Sequence, residues 1–391
     1  MRQTKQPGVL CSNDAKSCYD CVLHSIASLT YQRIGIPTPP VQCMLKCIQD
    51  MKHQIRTNFG ISEETVQKRY TMIPLQGILQ GNGASPTTWV LISTPLLNML
   101  WVKGNGAKLI SPMSKELSHI VGFAFVDDTD LITFNMQIDN VDWDDITTQM
   151  QEAIDRWEGG LKTTGGAIVP TKSWIYPIKF TFDDKGKASY QTCQDINHDF
   201  SVIDEHGDRV PLQSFDANIG KETLGVILAP DGNNNDALKS LLKKAKTWSA
   251  NIKAGHLKPS LVWQAAQTTI MKTLEYPLPA LTLQYKECHQ VMSIVCKGLL
   301  NSSRISVSMP NEVIFGPKDD GGFQLNHLYT TQGIFHIEKL LKFLPSNTMT
   351  GRLQRVSLQL CILEVGIGHN IFQLSYNQFE FLLSGSWIKQ V

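Results

Sequence analysis

Three aspartates in this 391-residue chain, Asp14, Asp127 and Asp128, have the chemistry to hold divalent cations. Carboxylate oxygens are ligands that magnesium prefers, and a few of them suffice when substrate phosphates and water complete the coordination shell. Two such ions can stabilise the charge on both the attacking and the leaving oxygen of an in-line phosphoryl transfer. An Asp-Asp pair in a turn is weak evidence for a metal site by itself, because aspartate is common in turns for local hydrogen bonding.

The neighbouring patterns predict the elements that position these carboxylates. Val9 to Asn13 predicts a short strand that ends at Asp14. The alternation from Val121 to Phe134, with a turn at Asp127-Asp128, predicts a β-hairpin. A strand end and a hairpin turn both hold a side chain on rigid backbone. We therefore expect the three carboxylates to meet.

The rest of the chain predicts further strands and helices, and hence an α+β fold with an antiparallel sheet backed by helices. Predicted helices cover Ser17 to Arg33, Val41 to Lys52, Thr87 to Leu100, Thr147 to Thr164, and 236–253, 259–274 and 284–300. Predicted strands cover His53 to Phe59, Ser173 to Phe182 and Leu224 to Leu228. A loop follows at 310–322, and the pattern after Tyr329 is helical again.

Five blocks of sequence lie in order along residues 9–228. They are Asp14-Ala-Lys-Ser-Cys-Tyr-Asp20, Gly77-Ile-Leu-Gln-Gly-Asn-Gly-Ala-Ser-Pro86, Phe125-Val-Asp-Asp128, Gly165 to Lys172, and Lys221-Glu-Thr-Leu-Gly-Val226. In order and spacing they resemble the motifs of reverse transcriptases, and the first block is similar to that of non-LTR (LINE-type) retrotransposon polymerases. Cys18 stands where that family has alanine, and Val169 where it has asparagine.

The resemblance implies an RNA-directed DNA polymerase, a nucleotidyltransferase that uses two Mg²⁺ ions, for which Mn²⁺ could substitute. Asp14 and Asp127 would bind both ions, and Asp128 would complete the acidic cluster. Lys172 would donate a proton to the pyrophosphate leaving group, whereas the alternative is a solvated lysine after a loop. The implied partners are an RNA template, a DNA primer and deoxynucleoside triphosphates.

Further residues of these blocks would contact the nucleotide and the template. Tyr19 would lie under the incoming sugar and exclude a 2′-hydroxyl, and a core aromatic on a helix is the alternative interpretation. Gln80 and Gly81 would lie against the nucleotide and template base, since glycine permits close backbone approach. Ser85-Pro86 would start the following helix.

The second half of the chain is the part that the resemblance assigns to primer and duplex. Leu224-Gly225 would support the primer backbone. The helices beyond would form a thumb whose lysines track phosphates without sequence preference. The lysines implied most directly are Lys239, Lys243, Lys244 and Lys246.

Charge is distributed unevenly in a way that agrees with these roles. Residues 121–160 contain ten acids and one base, and residues 239–304 contain ten bases and two acids, within a formal net charge of +1. An acidic patch suits cations and a basic segment suits phosphates. Two oppositely charged solvated faces are the alternative interpretation of the same pattern.

The resemblance also sets a domain plan and its alternatives. We expect a palm with partial fingers at 1–230, a helical thumb-like domain at 231–304 and a helical region without an assigned role at 305–391. Only thirteen residues precede Asp14, so the basic fingers that clamp a triphosphate are missing and the chain resembles the C-terminal part of a larger, retroelement-derived polymerase. A non-catalytic nucleic-acid-binding remnant and an RNA-dependent RNA polymerase are the other hypotheses.

Nine cysteines favour a reducing compartment over a disulfide framework, because the count is odd and no apolar leader follows Met1. Cys18-x-x-Cys21 and Cys43-x-x-x-Cys47 could bind zinc with His24 or His53, but both pairs lie in predicted helices rather than in zinc-binding turns. The longest apolar run, Trp89 to Val102, is shorter than the roughly 20 residues of a membrane span. We expect an intracellular protein of the cytoplasm or nucleus that does not enter membranes.

Overall fold

The computed structural model describes residues 1–16, 18–65, 76–136, 141–196, 198–368 and 371–391. The chain divides into two compact units. The first consists of Met1 and residues 6–109 and 119–216, and the second of residues 2–5, 110–118 and 217–391. Strands and helices are both abundant, which confirms the α+β class.

The strands of the described residues are β1 (Gly8–Asp14), β2 (Arg56–Thr57), β3 (Gly60–Ile61), β4 (Ala107–Ile110), β5 (Leu117–Ile120), β6 (Gly122–Phe125), β7 (Asp128–Asn135), β8 (Trp174–Ile178), β9 (Phe180–Phe182), β10 (Ala188–Tyr190), β11 (Ser201–Ile203), β12 (Arg209–Pro211), β13 (Gln213–Ser214), β14 (Lys221–Thr223) and β15 (Val226–Leu228). Seven of them form one sheet in the order β13-β8-β1-β7-β4-β5, with β6 paired to β7. β1 runs antiparallel to both β7 and β8, whereas β4 and β13 join the sheet in parallel. The prediction of an antiparallel sheet is therefore right for the central strands and wrong for those two.

The α-helices of the described residues are α1 (His24–Arg33), α2 (Thr38–Gln49), α3 (Ser85–Val102), α4 (Trp143–Thr164), α5 (Asn235–Ala254), α6 (Pro259–Ala265), α7 (Met271–Glu275), α8 (Tyr285–Ser302), α9 (Asn311–Phe315), α10 (Leu328–Phe343), α11 (Met349–Val365) and α12 (Trp387–Gln390). A π-helical turn at 266–270 joins α6 to α7. None of these helices is both long and apolar enough to cross a membrane.

Helix α4 supports the central strands. Its N-cap is Asp142, whose carboxylate accepts a hydrogen bond from Asp144 N, and its C-cap is Gly165 in the left-handed region at φ 96°. Its buried face repeats at helical spacing along Ile146, Met150, Ile154, Trp157 and Leu161. Each such side chain contributes about 1.5–3 kcal/mol when withdrawn from water, so this helix anchors the core beneath β1 and β7.

The two faces of β1 differ. Val9 and Cys11 are fully buried in the core of the first unit, and the residues that alternate with them, Ser12 and Asp14, point to the opposite face of the sheet. The register pairs Ser12 with Asp130 and Asp14 with Asp128. The acidic side chains therefore share one face at the end of β1.

The predicted helix from Ser17 to Arg33 begins only at His24, and Ser17 itself lies outside the described residues. Residues 18–23 are not helical, because their backbone bonds to other segments: Ile78 N donates to Tyr19 O at 2.8 Å and Gly77 N to Val22 O at 2.7 Å. The Cys18 and Cys21 pair therefore lies in a turn and not on a helix. Similarly, the strand predicted at His53 to Phe59 is reduced to β2, paired with β3 in an exposed hairpin.

The second unit is largely helical. α5 packs extensively on α8, and Leu241, Ala245, Val291 and Val295 are buried in their common core. The β14–β15 hairpin is its main strand element. The three long helices predicted for this region agree with α5, with the stretch from α6 to α7, and with α8 to within a few residues.

Candidate metal-binding active site

Asp14 and Asp128 are brought together by the pairing of β1 with β7. They are cross-strand partners in the antiparallel register, so their side chains leave the same face of the sheet. Ala15 N donates to Asp127 O at 2.9 Å, which extends the contact by one residue. The sequence prediction that a strand end meets an acidic hairpin agrees with this arrangement.

The hairpin turn consists of Val126 and Asp127, and Asp128 is already the first residue of β7. The sequence predicts both aspartates in the turn, whereas the cross-strand pair of Phe125 with Asp128 moves the turn by one residue. Val126 adopts φ 56°, a conformation that costs free energy in a β-branched residue. Trp89 Nε1 donates to its carbonyl oxygen, which helps to hold the turn.

The segment after α4 forms the third side of the site. Val169 N donates to Asp14 O at 2.9 Å and Lys16 N donates to Ala167 O at 2.8 Å. A short 3₁₀ turn then carries Lys172, whose Nζ lies 3.5 Å from Asp14 Oδ2. Gly165 lets the end of α4 lie against the segment at Cys21, because a Cβ there would lie 2.2 Å from Cys21 O.

These elements enclose a cleft of about 340 Å³. Its acidic lining residues are Asp14, Asp20 and Asp127, and its basic ones are Lys16 and Lys172. Tyr19 and Gln80 also line it, together with Ala15, Cys18, Val126 and Val169. The cleft therefore contains four of the sequence-predicted site residues besides Asp14, namely Tyr19, Gln80, Asp127 and Lys172.

Other predicted residues lie close by without lining the cleft. Asp128 is Asp14's neighbour across the strands but is not among the lining residues. Gly81 lies at φ 90° in the turn before α3, and Ser85 and Pro86 form the first turn of that helix. The Ser85 hydroxyl donates to Leu79 O at 2.7 Å, so its observed role is to hold the turn that presents Gln80.

The carboxyl groups have perturbed electrostatics. Burial raises the pKa of Asp14, and the Asp127 charge adds to that increase while Lys172 opposes it. Burial also raises the pKa of Asp128, and the charges of Asp127 and Asp14 raise it further. A bound cation would favour the ionised form of both groups.

The carboxylates at this site are suitable ligands for a magnesium ion. The carboxylate oxygens are of the type that Mg²⁺ selects, and Mg²⁺ keeps several waters and needs only one or two carboxylates. Within the described residues, however, no three Asp, Glu, His or Cys side chains are already gathered closely enough to hold an ion. The donors are therefore of the type that the ion selects, and two of them, Asp14 and Asp128, lie opposite each other on β1 and β7.

The cysteine pairs do not form a zinc site in the described part of the chain. Both nitrogens of His24 have other partners, Gly77 O at 2.9 Å and Gln49 Nε2 at 2.9 Å. Cys43 and Cys47 are exposed on α2. Burial raises the pKa of the Cys18 thiol to about 12, which favours the neutral thiol where Cys18 lines the cleft.

The remaining predicted residues belong to the second unit. Leu224 and Gly225 form the turn of the β14–β15 hairpin, and Tyr276 donates to Leu224 O at 2.7 Å. Lys239, Lys243 and Lys246 are exposed along one face of α5, opposite the buried Leu241 and Ala245. Lys244 lies off this face and lines a small cavity of about 100 Å³ with Gly225.

Sequence reasoning missed two charged residues of the cleft. Lys16 and Asp20 both lie in the first motif block, two residues after Asp14 and one after Tyr19, and both line the cleft. Lys16 could have been predicted from its position between Asp14 and Tyr19, which are both predicted site residues. Its ion-pair partner Glu205 lies almost 190 residues later in the chain, and no sequence pattern around Glu205 predicts this contact.

No protein-family model matches this chain, and no curated protein matches it. Among solved structures it is similar to telomerase from Candida albicans with a TWJ fragment of telomeric RNA, at TM-score 0.31 and 12% identity over 90% of this chain and 51% of that one. It is also similar to apo telomerase from Candida tropicalis, at TM-score 0.33 and 12% identity over 90% and 52%. The same telomerase with telomeric RNA gives TM-score 0.30 and 12% identity over 89% and 49%. This chain spans about half the length of these structures.

Proposed function

We propose that this chain is an RNA-directed DNA polymerase domain of the LINE-type retrotransposon class, with the first unit as its palm and the helices of the second as its thumb. The observation that carries the proposal is the cross-strand pair Asp14–Asp128 with Asp127 at the adjacent hairpin turn. These carboxylates adjoin a cleft that also contains an aromatic ring and two lysines. Acidic groups that need cations, beside bases that suit phosphates, fit phosphoryl transfer.

In this proposal the protein residues position the reactants. Magnesium ions, when bound, supply positive charge to the attacking and leaving oxygens. Asp14 and Asp127 would hold the ions, and Asp128 would strengthen the acidic field. Lys172, whose Nζ lies 3.5 Å from Asp14 Oδ2, would give a proton to the departing pyrophosphate.

The other lining residues would select the substrate. Tyr19 would lie under the sugar of a deoxynucleotide, and its ring would exclude a 2′-hydroxyl. Gln80, exposed in the turn before α3, would contact the incoming nucleotide or template base, with Gly81 allowing close backbone approach. Leu224 and Gly225 would support the primer.

Primer extension tests this function. With an RNA template, a DNA primer, deoxynucleotides and Mg²⁺, we expect extension by the wild type and at least about a hundredfold less by Asp127→Asn, because losing a metal-binding carboxylate removes several kcal/mol of transition-state stabilisation. Asp184→Asn, which removes the same charge from the exposed turn between β9 and β10, should extend normally. Extension that survives Asp127→Asn would remove Asp127 from the mechanism.

A second candidate is a nucleic-acid-binding protein without catalysis. The exposed lysine face of α5 favours it, since such a face can bind phosphates whether or not the carboxylates hold ions. Duplex binding with a steep salt dependence, but no extension at high nucleotide concentration, would support this candidate over the polymerase.

A further inference from the structure

We infer that Lys16 binds the polyphosphate of the incoming nucleotide, and that Glu205 competes with this phosphate for the same ammonium group. The inference rests on the proposed function and adds a substrate-binding residue and a built-in competitor to it. The main evidence is an ion pair between Lys16 and Glu205. Lys16 lines the cleft, whereas Glu205 lies in a hairpin almost 190 residues away in sequence.

Positive charge is scarce in the cleft. Among its described lining residues, Lys16 and Lys172 are the bases, and they face three aspartates. Each of the two lysines is paired with a carboxylate, Lys172 with Asp14 and Lys16 with Glu205. A nucleotide brings several phosphate charges, so it needs these cations and must take them from their carboxylate partners.

The backbone of Lys16 is fixed while its side chain is accessible. Lys16 N bonds to Ala167 O at 2.8 Å, and the preceding residue, Ala15, bridges to Ile168 and bonds to Asp127 O at 2.9 Å. The Lys16 side chain is 45% exposed. Because its backbone is fixed and its side chain is long and flexible, Lys16 can turn its ammonium group from the rim of the cleft toward a phosphate without moving the carboxylates.

Glu205 is presented by a well-anchored loop. The hairpin of β11 and β12 is held at its base by Val202, which is fully buried, and by two hydrogen bonds between Gln151 and the backbone of Ser201, at 2.8 and 3.1 Å. Asp204 then accepts from His206 N and Asp208 N, both at 2.9 Å. This fixes the loop on either side of Glu205, so its position beside Lys16 follows from the fold of the hairpin.

The pair is suited to displacement. The side chains of Lys16 and Glu205 are both nearly half exposed, and ion pairs in water contribute little because the solvent screens them. Several charge-assisted hydrogen bonds to a polyphosphate are stronger than one such pair. Glu205 therefore lowers nucleotide affinity without preventing binding.

The test measures nucleotide affinity in the full chain with isothermal titration calorimetry, using dATP with Mg²⁺ at low salt. We expect Glu205→Gln to tighten binding by about two- to fivefold, the size of an exposed ion pair, and Lys16→Met to weaken it by about tenfold. In the Lys16→Met background, Glu205→Gln should have no effect. Inorganic tripolyphosphate as the titrant should reproduce these changes, because the contact is to phosphate and not to the base.

Asp208→Asn is the matched control, since it removes an equal charge from the same exposed loop and should leave affinity unchanged. The inference is overturned if Glu205→Gln does not tighten binding, if its effect persists without Lys16, or if Asp208→Asn has the same effect. A protein that binds dATP in the expected pattern but does not extend a primer would refute the proposed function alone. Primer extension with an unchanged KM in Lys16→Met, or primer extension by a wild type that shows no dATP binding, would refute the Lys16 inference alone.

Discussion

Asp14 and Asp128 are directly opposite each other on β1 and β7, which places their Cα atoms about 4.5–5.5 Å apart. The fold thus holds two carboxyl groups so close together that their negative charges repel each other when both are ionised. The pKa of each is raised, mainly by burial. Like-charge pairs of this kind lower the stability of the fold unless a cation lies between them. The carboxylates that would serve activity are therefore expected to reduce stability when no ion is bound.

The first prediction concerns the stability of Asp128→Asn. An aspartate whose pKa is raised on folding stabilises the folded state below its unfolded pKa and loses that contribution as pH rises through the folded value. Starting from the ordinary value of 3.8, we therefore expect the wild type to lose stability relative to Asp128→Asn as pH increases. At pH 7 without metal, the variant should unfold roughly 2 °C higher.

Thermal unfolding in EDTA between pH 3.5 and 7.5 measures this difference. It should shrink toward the acidic end, where the wild-type carboxyl is protonated and resembles the amide. Asp184→Asn should show no comparable trend. A variant that is less stable at pH 7 than at pH 4, relative to wild type, would contradict the sign.

The second prediction concerns magnesium. An ion that binds only the folded state raises its stability by mass action, by about 1.4 kcal/mol at a concentration tenfold above its dissociation constant. Mg²⁺ should therefore raise the unfolding temperature of the wild type, and the increase should be absent in Asp14→Asn with Asp127→Asn. Differential scanning fluorimetry with Mg²⁺, Mn²⁺ and K⁺ at matched ionic strength separates ion binding from screening. An equal response of wild type and double variant would argue against ions at these carboxylates.

The third prediction concerns sugar selection by Tyr19. Replacing the half-buried ring with the smaller side chain of valine opens space in the cleft. We expect Tyr19→Val to increase ribonucleotide incorporation relative to deoxynucleotide incorporation by about 10- to 100-fold, the range that a small steric change produces. Single-nucleotide extension with paired substrates measures the ratio of kcat/KM values. If the wild type already prefers ribonucleotides, the RNA-dependent RNA polymerase hypothesis gains support and Tyr19 is not a barrier.

The fourth prediction concerns the lysine face of α5. Each phosphate contact contributes about 0.9 to the slope of log affinity against log salt concentration on duplex DNA. Lys243→Gln with Lys246→Gln should therefore reduce that slope by about 1.8 and weaken duplex binding equally for unrelated sequences. Lys318→Gln with Lys342→Gln, an equal change of charge elsewhere in the second unit, should leave the slope unaltered. Fluorescence anisotropy at several salt concentrations measures both.

The sequence alone predicted the local elements around the candidate site well. The alternation around Asp127 predicted its hairpin, helical spacing predicted α4 and α5, and the Ser85-Pro86 pair predicted the start of α3. These features depend on neighbouring residues, because a hairpin, a helix face and a helix start are each set by a few side chains close together in the chain. The carboxylates were candidates from their residue type and predicted elements, whereas Tyr19, Gln80 and Lys172 were predicted through the resemblance of their blocks to reverse-transcriptase motifs.

The tertiary structure decided what local patterns do not contain. The register of β1 with β7 makes Asp128, and not Asp127, the cross-strand partner of Asp14, because one residue more or less in a turn changes every pairing. Residues 18–23 are not helical, because their backbone groups bond to segments near Gly77 and Thr164. Glu205 meets Lys16 only because a distant hairpin folds over α4. Pairings between residues far apart in the chain are fixed by packing and hydrogen bonds of the whole fold, so no local pattern of residue types could specify them.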